Sequence, residues 1–407
     1  MNLWICCQIG AREHYAIPRA LHLNQQLELL LTDVWLSDNS RLNLLPESLL
    51  AKFRQRYHPE LNTGLVESFN YQTVNRELFY KRKQIKGWNK IIDRNNWWQQ
   101  QVIKNLKKAY LPDGQIILFA YSYAAQEIFR YAKKRGWHTV LAQIDPGVVE
   151  EKLVHKIAQK KISLQAKSDL APLQYWSNWR EECRLADRII VNSQWSNKAL
   201  QQTGISEDKL TTIPLAYQAT PTIFKRTYPN CFTPQRPLRV LFLGQIIIRK
   251  GIAETLEAIA LLNNTPIEFW FVGEVKISLP KKFQHHSQIK WLGSVSRSQT
   301  NEYYQQADVF LFPTHSDGFG ITQLEAQSWQ LPIIASEFCG AVVKDQINGL
   351  ILPQITPDAI AKAIVFCLLN TQKLAKYSRN STQILSNFSL DKLAQRMATI
   401  NVNIIKK

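Results

Sequence analysis

The chain has 407 residues, 45% hydrophobic and 20% charged, which excludes a mainly disordered chain and leaves room for two domains with separate cores. Lys and Arg number 50 against 32 Asp and Glu, a formal charge of +18, and residues 51–200 hold 26 of the basic against 13 of the acidic ones. A surplus of that size gathers anions, whether phosphate-bearing small molecules, nucleic acid or an anionic bilayer surface.

The opening stretch, MNLWICCQIGAREHYAIP, has no basic leader or small-residue cleavage site and reads as a strand, Leu3–Gln8, entering a loop. Further short apolar runs predict strands at Ile116–Tyr121, Val140–Ile144 and Arg188–Asn192, then at Leu238–Leu243, Glu268–Val272, Asp308–Phe312 and Pro332–Ala335. Helix-period stretches separate them; Ala253–Asn263 carries Ala253, Leu256, Ile259 and Ala260 at helical spacing. Ser40–Ile103 departs from this alternation. There, Trp88, Trp97 and Trp98 lie among Lys81, Arg82, Lys83, Lys86, Lys90 and Arg94, either a solvated helical face or a surface suited to anionic headgroups.

Pro221, Pro229, Pro234 and Pro237 mark residues 220–237 as a linker. The expectation is an α/β chain of two doubly wound domains, 1–219 and 238–385, followed by a C-terminal helix within 386–407 that packs back on the first domain. Ligands of such sheets bind at the C-terminal ends of the strands, so the site belongs in the cleft between the domains. The absence of an apolar run of ~18 residues argues against a membrane-spanning helix. Cys6, Cys7, Cys183, Cys231, Cys339 and Cys367 fit no metal spacing, so the protein is expected to be soluble and cytoplasmic.

Ala307–Leu352 carries the densest chemistry. A buried strand ends at Pro313, a turn holds Asp317-Gly318-Phe319-Gly320, and a helix begins near Ile321 with Glu325 in its early turns. Glycines admit close backbone approach to a ligand, and two carboxylates eight positions apart can accept hydrogen bonds from hydroxyls at its two ends. The bland alternative makes Asp317 a turn residue and leaves Glu325 favouring a helix start. After the first strand of the second domain come Gly244 and Arg249-Lys250-Gly251, a planar fork and a point charge suited to a diphosphate, or simply a solvated basic loop. Neither a D-x-D pair, a P-loop nor a dinucleotide fingerprint occurs, so a bound diphosphate would be neutralised by protein cations, with no metal and no cofactor.

These segments, with ADRIIVNSQWSNKAL and KLTTIPLA within Ala186–Ala216, resemble the retaining nucleotide-sugar glycosyltransferases of the GT-B fold, group 1 or family 4-like. The likeness covers about the last 220 residues well and about the first 180 in outline. It implies that Asp317 and Glu325 frame the donor sugar and ribose, Asp317 standing one methylene short of the usual Glu. It implies that Arg249 and Lys250 grip the diphosphate as the main catalytic electrostatics, and that Gly244, Gly318, Phe319, Gly320, Ile321 and Thr322 line the donor. On the acceptor or phosphate side it points to Gly10, Arg12 and His14, and to Gln143 or Asp145 where the family carries a His; His315 is expected to be a loop residue.

The implied activity is metal-independent, retaining transfer from a UDP- or GDP-sugar to a glycan or lipid-linked acceptor in polysaccharide or glycolipid synthesis, by front-face attack. The protein would work in the cytoplasm or on the inner face of the membrane. Rival readings are a non-catalytic GT-B sugar- or nucleotide-binding protein and a basic membrane-surface binding protein. Nucleic acid is disfavoured, since no recognition module for it is visible.

Overall fold

The computed structural model describes residues 2–37, positions 40, 43, 50 and 53, and residues 55–61, 66–111, 115–164, 170–218 and 224–400. Seven parallel strands, β1 (Asn2–Gln8), β2 (Leu27–Thr32), β3 (Val66–Ser68), β4 (Gln115–Tyr121), β5 (His138–Gln143), β6 (Arg188–Val191) and β7 (Leu210–Thr212), form one sheet in the order β3-β2-β1-β4-β5-β6-β7. Six more, β8 (Leu238–Leu243), β9 (Ile267–Val272), β10 (Ile289–Gly293), β11 (Val309–Phe312), β12 (Ile333–Ala335) and β13 (Gly349–Ile351), form a second in the order β10-β9-β8-β11-β12-β13.

Helices cover both faces of each sheet, which is why the central strands read as unbroken apolar runs. Alternation still operates within them: in β1, Ile5 and Cys7 join one core while Trp4 and Cys6 join the core on the opposite face. In both sheets the strand order reverses beside the first strand, between β1 and β4 and between β8 and β11. The loops leaving these strands therefore border the crevices where ligands of open α/β sheets bind.

All eight expected strands exist, with ends shifted by a residue or so; Ile144, Asn192, Asp308 and Pro332 lie just outside them. The expected helix at 253–263 runs from Ile252 to Leu261. In the irregular stretch, residues 41–42, 44–49, 51–52, 54 and 62–65 lie outside the described residues. The rest contains β3 and the helices Asn70–Arg82 and Gly87–Leu106. Its tryptophans turn inward: Trp98 is 1% exposed, edge-on to Phe69, and Trp88 and Trp97 pack against the same core. The reading of these rings as headgroup anchors is corrected accordingly, because burying their area against the first sheet outweighs an interfacial position.

Within the expected linker, residues 219–223 lie outside the described residues. The part that follows is pinned to the second domain: buried Arg226 donates to the carbonyls of Tyr304, Gln305, Ala307, Trp329 and Gln330, and Arg236 forms a forked pair with Asp308. The last described helix, Leu390–Ala398, packs Leu393, Ala394 and Met397 on Ala16, Ile17, Ala20 and Leu21 of the first domain. Residues 401–407 lie outside the described residues.

Candidate functional site

The loop after β8 ends in a single tight turn, Ile248–Lys250, closed by Gly251 at φ +73°. A Cβ at Gly251 would fall 2.0 Å from the carbonyl oxygen of Pro313, so only glycine lets this loop lie against the loop after β11. The result is a charge cluster. Lys250 Nζ donates to Asp317 Oδ2, Arg249 Nη1 lies 3.3 Å from the same oxygen, and the Phe319 amide donates to Asp317 Oδ1 at 3.1 Å. The Lys250 ammonium also sits 4.3 Å from the centre of the Phe312 ring.

Burial disfavours charge on Asp317, yet Lys250 and Arg249 overcome it and hold the carboxyl below its usual range. Burial likewise draws the Lys250 pKa down, with Asp317 opposing. The pair is ionised because each partner answers the other's desolvation.

Arg249 also reaches the first domain, at 3.5 Å from Glu150 Oε2 in the first turn of the helix Val148–Lys160. Ser316 Oγ donates to Glu150 at 2.6 Å, and Trp195 Nε1 donates to Ser316 at 2.9 Å. Gly318 completes the junction: a Cβ there would lie 2.0 Å from the carbonyl oxygen of Ile144. Burial raises the Glu150 pKa to about 7 against the pull of Arg249.

Two cavities lie between the domains. One, of about 820 Å³, includes Glu13, His14, Arg19, His58, Arg297, Ile321 and Glu325 in its lining. Glu325 accepts from Tyr304 Oη at 2.9 Å, and His14 Nε2 meets the Arg297 guanidinium across the cleft. Glu13, His14 and Tyr15 hold φ of +53°, +52° and +58°, three consecutive left-handed non-glycine residues beside the first sheet's crevice. The other cavity, of about 810 Å³, includes Trp88, Tyr123, Asp145, Glu150, Tyr175, Arg249 and Glu274 in its lining.

Arg249, Lys250 and Asp317 thus meet directly, and Glu325, Ile321 and His14 share one cavity. Other expected residues serve the scaffold. Phe319 is 2% exposed, packed over Gly340 and Phe388, so its ring is core and not donor lining. Gly320 fits under Phe312, and Gly318 admits the other domain's backbone. The Thr322 hydroxyl is buried without a partner among the described residues.

Gly244 carries φ +132°, and its carbonyl oxygen lies under Gly273. Gly10 donates its amide to Asp33 at 2.8 Å, and the Arg12 guanidinium lies over the Tyr121 ring. Gln143 is buried and engaged with Tyr123, Asp145 and Trp179, which leaves Asp145 as the member of that pair in a cavity wall. His315 pairs with Glu254 in its loop.

Glu150, Ser316, Trp195 and Arg297 had no signal in the sequence, since the side-chain contacts that bring them to the junction come from the opposite domain. Among the described residues, no group of three or more His, Cys, Asp or Glu is arranged to hold a metal ion, and no helix is long and apolar enough to cross a membrane.

Residues 237–370 match the family of glycosyl transferases group 1. The O-antigen biosynthesis glycosyltransferase WbnH of Escherichia coli is 26% identical over 168 residues, 41% of this chain and 46% of that protein. The N,N'-diacetylbacillosaminyl-diphospho-undecaprenol alpha-1,3-N-acetylgalactosaminyltransferase of Campylobacter jejuni is 21% identical over 272 residues, 62% of this chain and 70% of that one. The chain spans about half the length of several curated relatives that it matches. The structure of Anabaena HepE in complex with UDP and glucose is similar with a TM-score of 0.60 at 15% identity, covering 98% of both chains. The fold is therefore GT-B, two Rossmann-like domains of parallel sheet, and the second domain carries the glycosyltransferase likeness.

Proposed function

We propose that this chain, a GT-B protein with a group 1 glycosyl transferase domain, moves a sugar from a nucleoside diphosphate to a glycan or lipid-linked acceptor, with retention and without a metal. The observation that carries the reading is the Arg249–Lys250–Asp317 cluster where the two domains touch, with Glu325 in the wall of an interdomain cavity. The nucleotide enters the cavity that holds Glu325, whose carboxylate accepts from ribose hydroxyls. Its diphosphate exchanges with Asp317 as the partner of Lys250 and Arg249.

As the anomeric C–O bond breaks, negative charge grows on the leaving diphosphate, and the two fixed cations stabilise it most in the transition state. Asp317, released from Lys250, turns to the sugar hydroxyls. The departing phosphate takes the acceptor's proton, which leaves attack on the same face. The close fit of Gly318 against Ile144 keeps water from the junction and limits donor hydrolysis.

HepE is described with UDP and glucose, and the Campylobacter jejuni relative by its name acts on a lipid diphosphate, so both support a nucleotide-sugar donor and a glycan or lipid-linked acceptor. The WbnH likeness supports a place in polysaccharide synthesis. A membrane-facing side of the first domain is supported by Leu78 and Phe79, 44% and 43% exposed beside exposed Lys81, Arg82, Lys83 and Lys86.

The test is thermal stability with UDP-, GDP- and ADP-sugars, with and without chelator, followed by the anomeric configuration of the product. Binding at 100 times the dissociation constant adds ~2.7 kcal/mol. A shift for one nucleotide that survives chelation is expected. A shift lost on chelation would remove the metal-free part, and inversion in the product would remove the front-face step.

A further inference from the structure

A further set of contacts joins the domains next to the Arg249 loop. Val154, Ile157 and Ala158 of the helix Val148–Lys160, with Leu164 beyond it, pack on Ile248, Ala253 and Ile277 of the second domain. The Ser278 amide donates to the Leu164 carbonyl at 2.8 Å. Lys161 ends the seam, its Nζ 2.8 Å from Glu257 Oε1 and 3.7 Å from Glu254 Oε1.

The two glutamates differ in kind. Glu257 is half-exposed, and an ion pair of that sort adds little. Glu254 is 7% exposed, in the first turn of the helix Ile252–Leu261 that follows Gly251. A carboxylate there has to be answered where it stands. Its Oε2 meets His315 Nε2 at 3.1 Å, while its Oε1 faces Lys161. Burial disfavours the charge, yet His315, the residue's own backbone amide and Lys161 together hold the carboxyl below its usual range.

His315 in turn holds Arg249. The His315 amide donates to the Arg249 carbonyl at 2.8 Å, and the Thr314 hydroxyl donates to the same oxygen at 3.2 Å. Glu254 thus fixes the imidazole of the residue whose backbone fixes the peptide of Arg249. Neither Glu254 nor His315 is among the described residues lining the two interdomain cavities, so their influence on a ligand there passes through Arg249. A cation held in place in advance needs no reorganisation when a diphosphate arrives or gains charge.

We propose that Glu254 and His315 are positioning residues that set Arg249 for the donor's diphosphate, and that Lys161 of the first domain completes the pair while the domains are in contact. The proposal rests on the glycosyltransferase reading and adds to it a link between domain contact and the diphosphate grip.

The test is calorimetric affinity of the full chain for UDP against UMP, and likewise GDP against GMP and ADP against AMP, since the ratio within a pair reads the grip on the second phosphate. For the base that binds, His315→Ala should cut the preference for the diphosphate about tenfold while leaving the monophosphate affinity as in the parent. His315→Gln, which carries an N–H donor at similar reach, should recover most of that loss. Lys161→Met should lessen the preference several-fold in the parent and not at all in a Glu254→Gln background. Exposed Glu257→Gln should leave it unchanged.

An unaltered ratio in His315→Ala, an equal loss of monophosphate and diphosphate affinity, or no recovery in His315→Gln would each overturn the pair's positioning role, whatever happens to Tm. An undiminished effect of Lys161→Met in the Glu254→Gln background would overturn the link to the first domain. Failure of all six nucleotides to bind would instead overturn the glycosyltransferase reading, and the proposal with it.

Discussion

The loops that leave β1 and β8 stand at equivalent places, each beside the point where its sheet reverses order, yet they meet the crevice by different means. The loop of the second domain uses glycine: Gly251 takes the left-handed conformation and closes the gap to Pro313, and the cations beside it reach Asp317. The loop of the first domain uses no glycine past Gly10. It holds Glu13, His14 and Tyr15 in left-handed conformations that disfavour side chains, by roughly 1–2 kcal/mol each. One loop delivers charge on a relaxed backbone. The other delivers shape on a strained one, kept in place by burial of Tyr15 and by the last helix packed behind Ala16–Leu23.

The largest effect expected from breaking this contrast is at Lys250. Lys250→Ala should lower kcat by about 10²–10³, the loss seen when one donor to a developing oxyanion is removed. The same change leaves Asp317 with Arg249 alone and should destabilise the fold by about 3 kcal/mol, which denaturant titration reads separately. Glu325→Ala should raise the donor KM in steady-state assays while leaving the fold intact, and unchanged donor binding would favour the non-catalytic rival. Next comes Gly251→Ala. Its Cβ has no room and its φ is positive, so a loss on the order of 2–4 kcal/mol should appear as a lowered Tm, with any residual activity showing a donor KM defect.

The second domain was the more legible one because its chemistry lies in short, local spacing. Arg249-Lys250-Gly251 and Asp317 to Glu325 stand beside strands that read plainly as apolar runs. The first domain yielded its central strands and little of its edge. β3 and β7 have three residues each, too few to show a period, and β2, LELLLT, serves helix and strand patterns equally.

The cation-rich tryptophan stretch misled for a physical reason. Amphipathic spacing records that one face is apolar, not whether a core or a bilayer covers it, and here the core does. Phe319 misled likewise, since its neighbours Gly318 and Gly320 make room for protein, not for ligand. Glu150 could not be read at all. Its partners Ser316 and Arg249 are far along the chain and meet it only where the domains touch.

That junction gives the comparison a pH dependence. The Glu150 carboxyl titrates near pH 7 when folded, whereas an unfolded glutamate titrates near 4.5. Between those values the folded chain keeps a proton that the unfolded chain has lost, so this residue's contribution to stability falls as pH rises and levels off above pH 7. Glu150→Gln removes that slope. Its stability relative to the parent should shift in the variant's favour by about 3 kcal/mol between pH 4.5 and pH 8, measured by denaturant titration. An unchanged difference across that range would mean that Glu150 is ionised at the junction throughout.

The smallest expected effect is the one aimed at the strained loop. Glu13→Gly relieves a left-handed side chain and removes a carboxyl that burial has raised to about 7, while adding the backbone freedom of glycine to the unfolded chain. The first two changes favour the variant and only the third opposes it, so Tm should move upward by a few degrees. Donor affinity should fall several-fold at the same time, because His14 loses the fixed backbone that aims it at Arg297 across the cleft. If stability rose and donor affinity stayed the same, the strain would belong to the fold alone, and the β1 loop would have no part in shaping the cavity that holds Glu325.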